Sequence, residues 1–216
     1  MSRISSHGSV ISIQSEAAET VSPIVSATKA KPCVITTSGA TPPAVGDIVV
    51  PTGTGWASIE GRPFKVSAAA ADVITLGDSD TSGEADVIQT GNLNKPTFTE
   101  MCRSTFTVNN PAGATIDVTT LCDNAHQIVA GLPAIGTWQA NGFYDSNDAA
   151  IGIARDYYRS GEIVAFLAVF RDGSGIAFNA TVNVFDIVLG INAAITNNLG
   201  GQISGLVSMF PAPAGP

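Results

Sequence analysis

Charge is what this chain has least of. Only 13% of its 216 residues are Asp, Glu, Lys or Arg, about half the share usual in soluble domains. A surface so poor in charge suits a protein whose surface is largely covered by partners. The scarcity is also lopsided: 10 Lys and Arg against 18 Asp and Glu leave a net −8. Clamping nucleic acid takes clustered basic side chains on the phosphates, so that class is excluded. A protein past which DNA slides is not. Cysteine is scarce as well. Cys33, Cys102 and Cys122 are odd in number and far apart, which excludes a disulfide framework and a CxxC metal knuckle and leaves reduced thiols. The longest apolar run, 163–170, is too short for a bilayer. The opening MSRISSHGSV has no signal-peptide core. The expectation is a soluble protein with no membrane partner.

What is present is apolar and broken by turns: 44% hydrophobic residues, 22 Gly and 12 Pro. That is enough for a core and suits an all-β chain. After a short strand at 10–14, the segments PCVITT (32–37), DIVVP (47–51), GRPFKVSA (61–68) and DVITLG (72–77) recur every 10 to 15 residues. This spacing predicts a small β module inserted at 24–89. Phe106 and Val108 alternate with polar neighbours, as do Ile116 and Val118 across NNPAGA, so a hairpin is predicted there. Residues 123–129 read as two helical turns, and 137–143 as a strand. One amphipathic helix is predicted at 148–160, capped by Ser146 or Asn147 and stopped by Gly161. Residues 162–170 are almost continuously apolar, which predicts a strand covered on both faces. RDGSG (171–175) marks a turn, and alternation resumes from Ile176 to Val184. A final segment sets Ile191, Ala193, Ile195, Leu199, Ile203 and Val207 against Asn192, Thr196, Asn198, Gln202 and Ser204. Its polar side is Asn, Thr, Ser and Gln rather than Lys and Glu, which suits subunit contacts or a non-sticky channel wall. An ordinary solvent face is the other reading of the same alternation.

The candidate chemistry is thin. Cys122 and His126 share a spacing of four, with Asp117 or Asp123 nearby, but no nucleophile turn or oxyanion loop accompanies them. Asp78, Asp80 and Ser82, followed by Gly83, imitate the opening of a calcium loop, and Asp78, Asp80 and Asp86 are the carboxylates a cation there would use. The loop's closing Glu would fall at position 89, where Gln89 stands. Gly53, Gly55, Gly61, Gly200 and Gly201 lack the spacing, Lys and helix of a phosphate loop. Trp56 and Trp138 read as packing anchors, and the adjacent Tyr157 and Tyr158 fall on the helix. No catalytic, cofactor-binding or metal-binding residue is expected, no cofactor, and no enzyme.

Several segments, in order, resemble the tail tube (major tail) proteins of long-tailed, siphophage-type bacteriophages. HGSVISIQS (7–15) is similar to that family's first strand. The run 101–145 resembles its "IDVTTL" strand, short helix, "GLPD" turn and inner-sheet strand, with Ala134 where an acidic residue is common. The run 148–182, DAAIGIARDYYRSGEIVAFLAVFRDGSGIAFNATV, resembles its helix, buried strand, glycine turn and FNA strand. GDIVVPTGTGWASIEGRPFKV (46–66) and LGDSDTSG (76–83) resemble a β module often inserted in these proteins.

The resemblance implies a mainly β fold: a tail-tube-type β-sandwich or barrel with one flanking α-helix over 1–23 and 90–216, plus the inserted small β-barrel or sandwich module. It implies a structural virion protein that self-assembles into stacked hexameric rings, forming a hollow tube for DNA ejection. The implied partners are further copies of the chain, the tape measure, tail tip and terminator proteins, and DNA that passes the lumen without specific binding. The implied place is the virion tail, assembled in the host cytoplasm. The alternative is a β-rich surface or adhesion module that binds a host carbohydrate or protein. It would need exposed aromatic platforms.

Overall fold

The computed structural model describes residues 8–39, 42–85, 90–110, 115–117, 125, 128–130, 135–191 and 193–212. Cys122, His126 and Asp86 therefore lie outside the described residues, as does the turn around Gly131. Among the described residues the chain is mainly β, with one helix.

Its first strand, β1 (Val10–Gln14), belongs to the main sheet, and the chain then leaves that sheet. Six strands follow, β2 (Glu19–Ala27), β3 (Cys33–Thr37), β4 (Ile48–Thr52), β5 (Phe64–Ala70), β6 (Val73–Leu76) and β7 (Gly91–Lys95). They close into a barrel in the order β2-β3-β6-β5-β4-β7. Closure leaves no edge, and alternate side chains fill the interior. Cys33, Ile35, Val49, Phe64, Val66, Ile74, Leu76 and Leu93 are each 0% exposed there. The barrel strands begin at Glu19 and end at Lys95, so positions 24 and 89 fall inside the first strand and just before the last. The neck is narrower still: the Ser15 amide donates to the Thr97 carbonyl at 2.8 Å. To the main sheet, the excursion enters and leaves at one point.

The remaining elements are β8 (Phe98–Glu100), β9 (Thr105–Asn109), β10 (Thr115–Asp117), β11 (Ile128–Ala130), β12 (Thr137–Phe143), α1 (Ala149–Ser160), β13 (Val164–Val169), β14 (Gly175–Ala180), β15 (Val184–Val188) and β16 (Thr196–Phe210). The main sheet runs β8-β1-β13-β14-β16-β12-β9, and β15 also pairs β16. It is not flat. Between β13 and β12 lie three strand spacings, about 14 Å in a flat sheet, yet the Phe166 and Trp138 rings are 4.3 Å apart. The sheet folds over itself into a sandwich. β16 makes the fold: residues 203–210 pair with β14, and 196–202 pair with β12. Phe166, Phe178, Trp138, Leu199 and Ile203 fill the space between. The helix closes one side, touching β1, β8 and β15. Asp148 caps it by accepting from the Ala150 amide at 2.9 Å, and Gly161 ends it at φ 70°.

The barrel packs on the outer face of β13 and β14. Ile48 meets Ala177 and Phe210, with Leu167 and Val169 beside them. The Lys65 ammonium lies 4.4 Å from the Phe210 ring centroid, and Asp78 accepts from the Met209 amide at 2.8 Å. The unbroken apolar run of β13 follows: Phe166 serves the sandwich core and Leu167 the barrel contact.

Several sequence expectations change. Among the described residues β9 does not pair with 115–117; it pairs β12, while β10 pairs β11. Ile128 and Val129, the end of the stretch predicted helical, lie in the strand Ile128–Ala130. The alternation from Ile176 to Val184 contains two strands, β14 and β15, broken at residues 181–183. The final strand begins at Thr196, so Ile191 sits in a loop and is 97% exposed. The helix cap is Asp148, not Ser146 or Asn147.

Two substitutions test this description by urea denaturation. A methyl group at Gly201 would stand 1.8 Å from the Thr181 carbonyl oxygen, so Gly201→Ala should destabilise by about 3 kcal/mol or more. Ala71 turns the β5–β6 hairpin at φ 48°, a left-handed conformation that costs an L-residue about 1 kcal/mol. Ala71→Gly should raise stability by roughly 0.5 kcal/mol, part of the relief being lost to the looser unfolded chain.

Candidate functional site

Four strands, in the order β9-β12-β16-β15, form the inner layer of the sandwich. Its far face is open. Register places the open-face residues in rows. Asn109, Thr137 and Gln202 form one row; Thr107, Gln139, Gly200 and Val184 the next. Thr105, Asn141, Asn198 and Asp186 follow, and Phe143, Thr196 and Val188 end the face. Along β12 the alternation is complete: Thr137, Gln139, Asn141 and Phe143 are exposed while Trp138, Ala140 and Gly142 are buried. Asp186 is the one charged side chain on this face among the described residues. Below it, the Asn197 amide donates to the Asp186 carbonyl at 2.9 Å and ties β15 to β16.

Both lateral edges are free among the described residues: β9 pairs only β12, and β15 pairs only β16. Three successive antiparallel pairings reverse direction three times, so β15 runs opposite to β9. A second copy of the layer set alongside would continue the antiparallel alternation without a break. Unpaired strand edges are templates for further pairing, and apolar residues mark the β15 edge. Val184, Ile187 and Val188 are each more than 40% exposed.

Among the described residues, the carboxylates weighed as cation ligands are otherwise engaged. Asp78 accepts from Met209. Asp80 accepts from the Ser82 hydroxyl at 2.6 Å and its amide at 3.1 Å, and pairs with Lys31 at 3.1 Å. Those hydrogen bonds, the Ser82 hydroxyl foremost, lower its pKa to about 2. Among the described residues no group of three His, Cys, Asp or Glu converges on a point that could hold a metal ion. The amides of Gly53 and Thr54 do form an anion-binding turn. Its anion is the protein's own Glu60 carboxylate, at 2.7 Å from each. Burial opposes that charge, and the hydrogen bonds outweigh it, lowering the Glu60 pKa.

Trp138 is 1% exposed and donates to the Thr181 carbonyl; Trp56 is 2% exposed and donates to Ala85. Neither offers a stacking surface to a carbohydrate. Cys33 is buried in the barrel, where burial raises its pKa, and Cys102 is exposed. No described helix is long and apolar enough to cross a membrane.

The neutral polar row was visible in the sequence for β16, whereas 137–143 reads there only as a strand. The strand β15 was missed because VFDIV follows β14 after only three residues. Its signal was the isolated Asp186 between apolar neighbours.

No protein-family model and no curated protein matches the chain. Solved structures do, as likenesses of fold. A chain in the virion of a native gene transfer agent particle is 18% identical, with 53% of this chain and 89% of that chain covered and a TM-score of 0.46. A chain in the tail of an empty gene transfer agent particle, of C6 symmetry, is 18% identical over 53% of this chain and 87% of that one, also at 0.46. A chain of the SPP1 tail tube is 16% identical over 51% and 69%, at 0.39.

The hydrogen bonds on Asp80 set an acid-pH expectation. Its folded pKa is depressed from 3.8 to about 2, so its stabilising effect is full above pH 3.8 and is lost as pH falls through 2. Carboxyl-carbon NMR should show Asp80 titrating near pH 2, and Ser82→Ala should move the midpoint upward.

Proposed function

We propose that this chain is a structural virion subunit, a phage tail tube protein, which assembles into stacked hexameric rings around a lumen for DNA. The observation that carries the reading is the open four-stranded face, which among the described residues is uncharged but for Asp186 and bounded by two free edges of opposite direction. Set side by side by rotation, β15 of one copy meets β9 of the next. The contact is heterologous and closes into a ring. Ring closure satisfies the exposed edges, which otherwise invite uncontrolled pairing.

Six copies, the number implied by the sequence resemblance, would contribute roughly 24 strands. At about 4.8 Å per strand and a tilt of about 40°, the wall has a circumference of about 150 Å. A circle of that size is about 48 Å across at the backbone, wide enough for a DNA duplex. A wall of Thr, Asn and Gln has no cation to hold phosphate, and Asp186 adds a ring of weak repulsion.

The layering supports an exterior place for the barrel. The barrel packs on β13 and β14, on the side away from the open face, so with that face inward the barrel decorates the exterior. On this reading the chain divides into a tube domain and an inserted module, with the neck at Ser15 and Thr97 as the boundary. The resemblance further implies tape measure, tail tip and terminator proteins as partners, a place in the virion tail, assembly in the host cytoplasm and no enzymatic activity.

Electron microscopy of the purified protein tests this directly. Rings or tubes of uniform diameter are expected, and a chain that stays monomeric at high concentration would refute the reading. Wild-type tubes should retain no DNA, while Asp186→Lys tubes should retain it at low salt and release it as salt rises. A reconstructed bore lined with Lys and Arg would overturn the electrostatic part. Replacing residues 16–96 with a short turn should narrow the outer diameter and leave the bore unchanged.

A further inference from the structure

The two outer strands of the inner layer leave their core-facing side chains only half covered. On β9 these are Phe106 and Val108, which pair with the buried Ala140 and Trp138. On β15 they are Phe185 and Ile187, which pair with the buried Leu199 and Asn197. Ile187 faces the core side and is still 44% exposed. Between these strands, β12 and β16 keep their core-facing side chains buried. The sandwich core is thus sealed in the middle and open at both lateral edges.

The helix enlarges the open patch on the β15 side. Tyr158 lies over Phe185, with ring centroids 6.1 Å apart, and is 47% exposed. Phe185, Ile187 and Tyr158 form an apolar step beside the free edge of β15. Apolar area next to an unpaired strand edge marks an interface.

Register fixes what the step can meet. Phe106, Ala140, Leu199 and Phe185 share one core-facing row, with β9 at one end and β15 at the other. Within one chain the two ends are three strand spacings apart, about 14 Å. When β15 of one copy adjoins β9 of the next, a single spacing of about 4.8 Å separates the strands. Side chains alternate between faces with period 2. Any register that joins the open faces therefore also sets Phe185 and Ile187 on the same side as Phe106 and Val108.

We propose that neighbouring copies share one hydrophobic core: Phe185, Ile187 and Tyr158 of one copy pack on Phe106 and Val108 of the next. The occupant of the step is a second copy of this chain. The inference rests on the edge-to-edge ring reading above and adds a side-chain seal beneath the backbone pairing.

Ile187 and Asp186 are adjacent and face opposite sides of the layer, which supplies a direct test. In full-length chain carrying Cys102→Ser and Cys122→Ser, Ile187→Cys and Asp186→Cys are each labelled with N-ethylmaleimide before and after assembly. Cys33 is buried in the barrel with a raised pKa and stays inert. Ile187→Cys should react about tenfold more slowly in rings or tubes than in the free chain, because the neighbour excludes the reagent. Asp186→Cys, which faces the bore, should keep its rate. Tyr158→Cys should be protected as Ile187→Cys is, and serves if Ile187→Cys fails to assemble. Ile187→Ser and Tyr158→Ser should each raise the concentration at which assembly is half complete by about tenfold. Assembled Ile187→Cys or Tyr158→Cys that labels as fast as the free chain, or serine variants that assemble like wild type, would overturn the shared core and spare the ring reading. A wild-type chain that never assembles would overturn both.

Discussion

The hydrogen bond from the Trp138 indole to the Thr181 carbonyl, 3.0 Å long, sits where β16 passes from one sheet of the sandwich to the other. Gly201 pairs with Trp138 at that crossing, and its missing side chain lets the Thr181 backbone approach. The bond satisfies the only polar atom of the largest buried side chain in the core. It also joins the end of β14's sheet to β12's sheet. Trp138 then packs on Phe166, Phe166 on Phe178, and Phe178 on Phe106, so one aromatic chain spans both layers. Without the crossing there is no inner layer and no open face.

Scarcity of charge acquires a structural meaning in this arrangement. The inner layer presents amides and hydroxyls outward, a surface that stays hydrated yet binds no counterion strongly. The outer layer spends its exposed face on the barrel. Several of the few basic side chains are drawn into joints: Lys65 lies over Phe210 between barrel and sheet, and Arg62 lies over Phe64. Little remains for the ordinary Lys- and Glu-studded surface of a monomer.

The sequence made the fold legible where one side of a strand faces water, and obscure where both sides are covered or neither is. β12 alternates without exception, and its role follows from its residues. β13 is apolar throughout, so its burial was legible but not its neighbours; only the structure shows that one face meets the sandwich core and the other the barrel. The loop 189–195 misled because its apolar residues continue the alternation of β16 by chance of spacing. Period-2 patterning carries no information on whether an apolar row is covered by the same chain. The free edges were invisible for a similar reason: edge status belongs to the order of strands, and β9 pairing with β12 rather than with its near neighbour at 115–117 is a long-range choice. The helix was the clearest element, since its spacing and glycine stop agree with the structure, although the cap is Asp148 and not Ser146 or Asn147.

The hydrogen bond between Ser15 and Thr97 has a consequence for how the chain is made. β1 leaves the ribosome well before its partner β13, which lies more than 150 residues further along, Val10 opposite Val169. Such a pairing is slow to find because the entropy of a long loop must be lost before contact rewards it. The barrel shortens the search. Its six strands come from one contiguous stretch and close on themselves, and in doing so bring Ser15 and Thr97 together. β1 and β8 then pair across the neck as if across a tight turn, Ser12 opposite Glu100. The inserted barrel thereby becomes the clamp that holds β1 ready for β13.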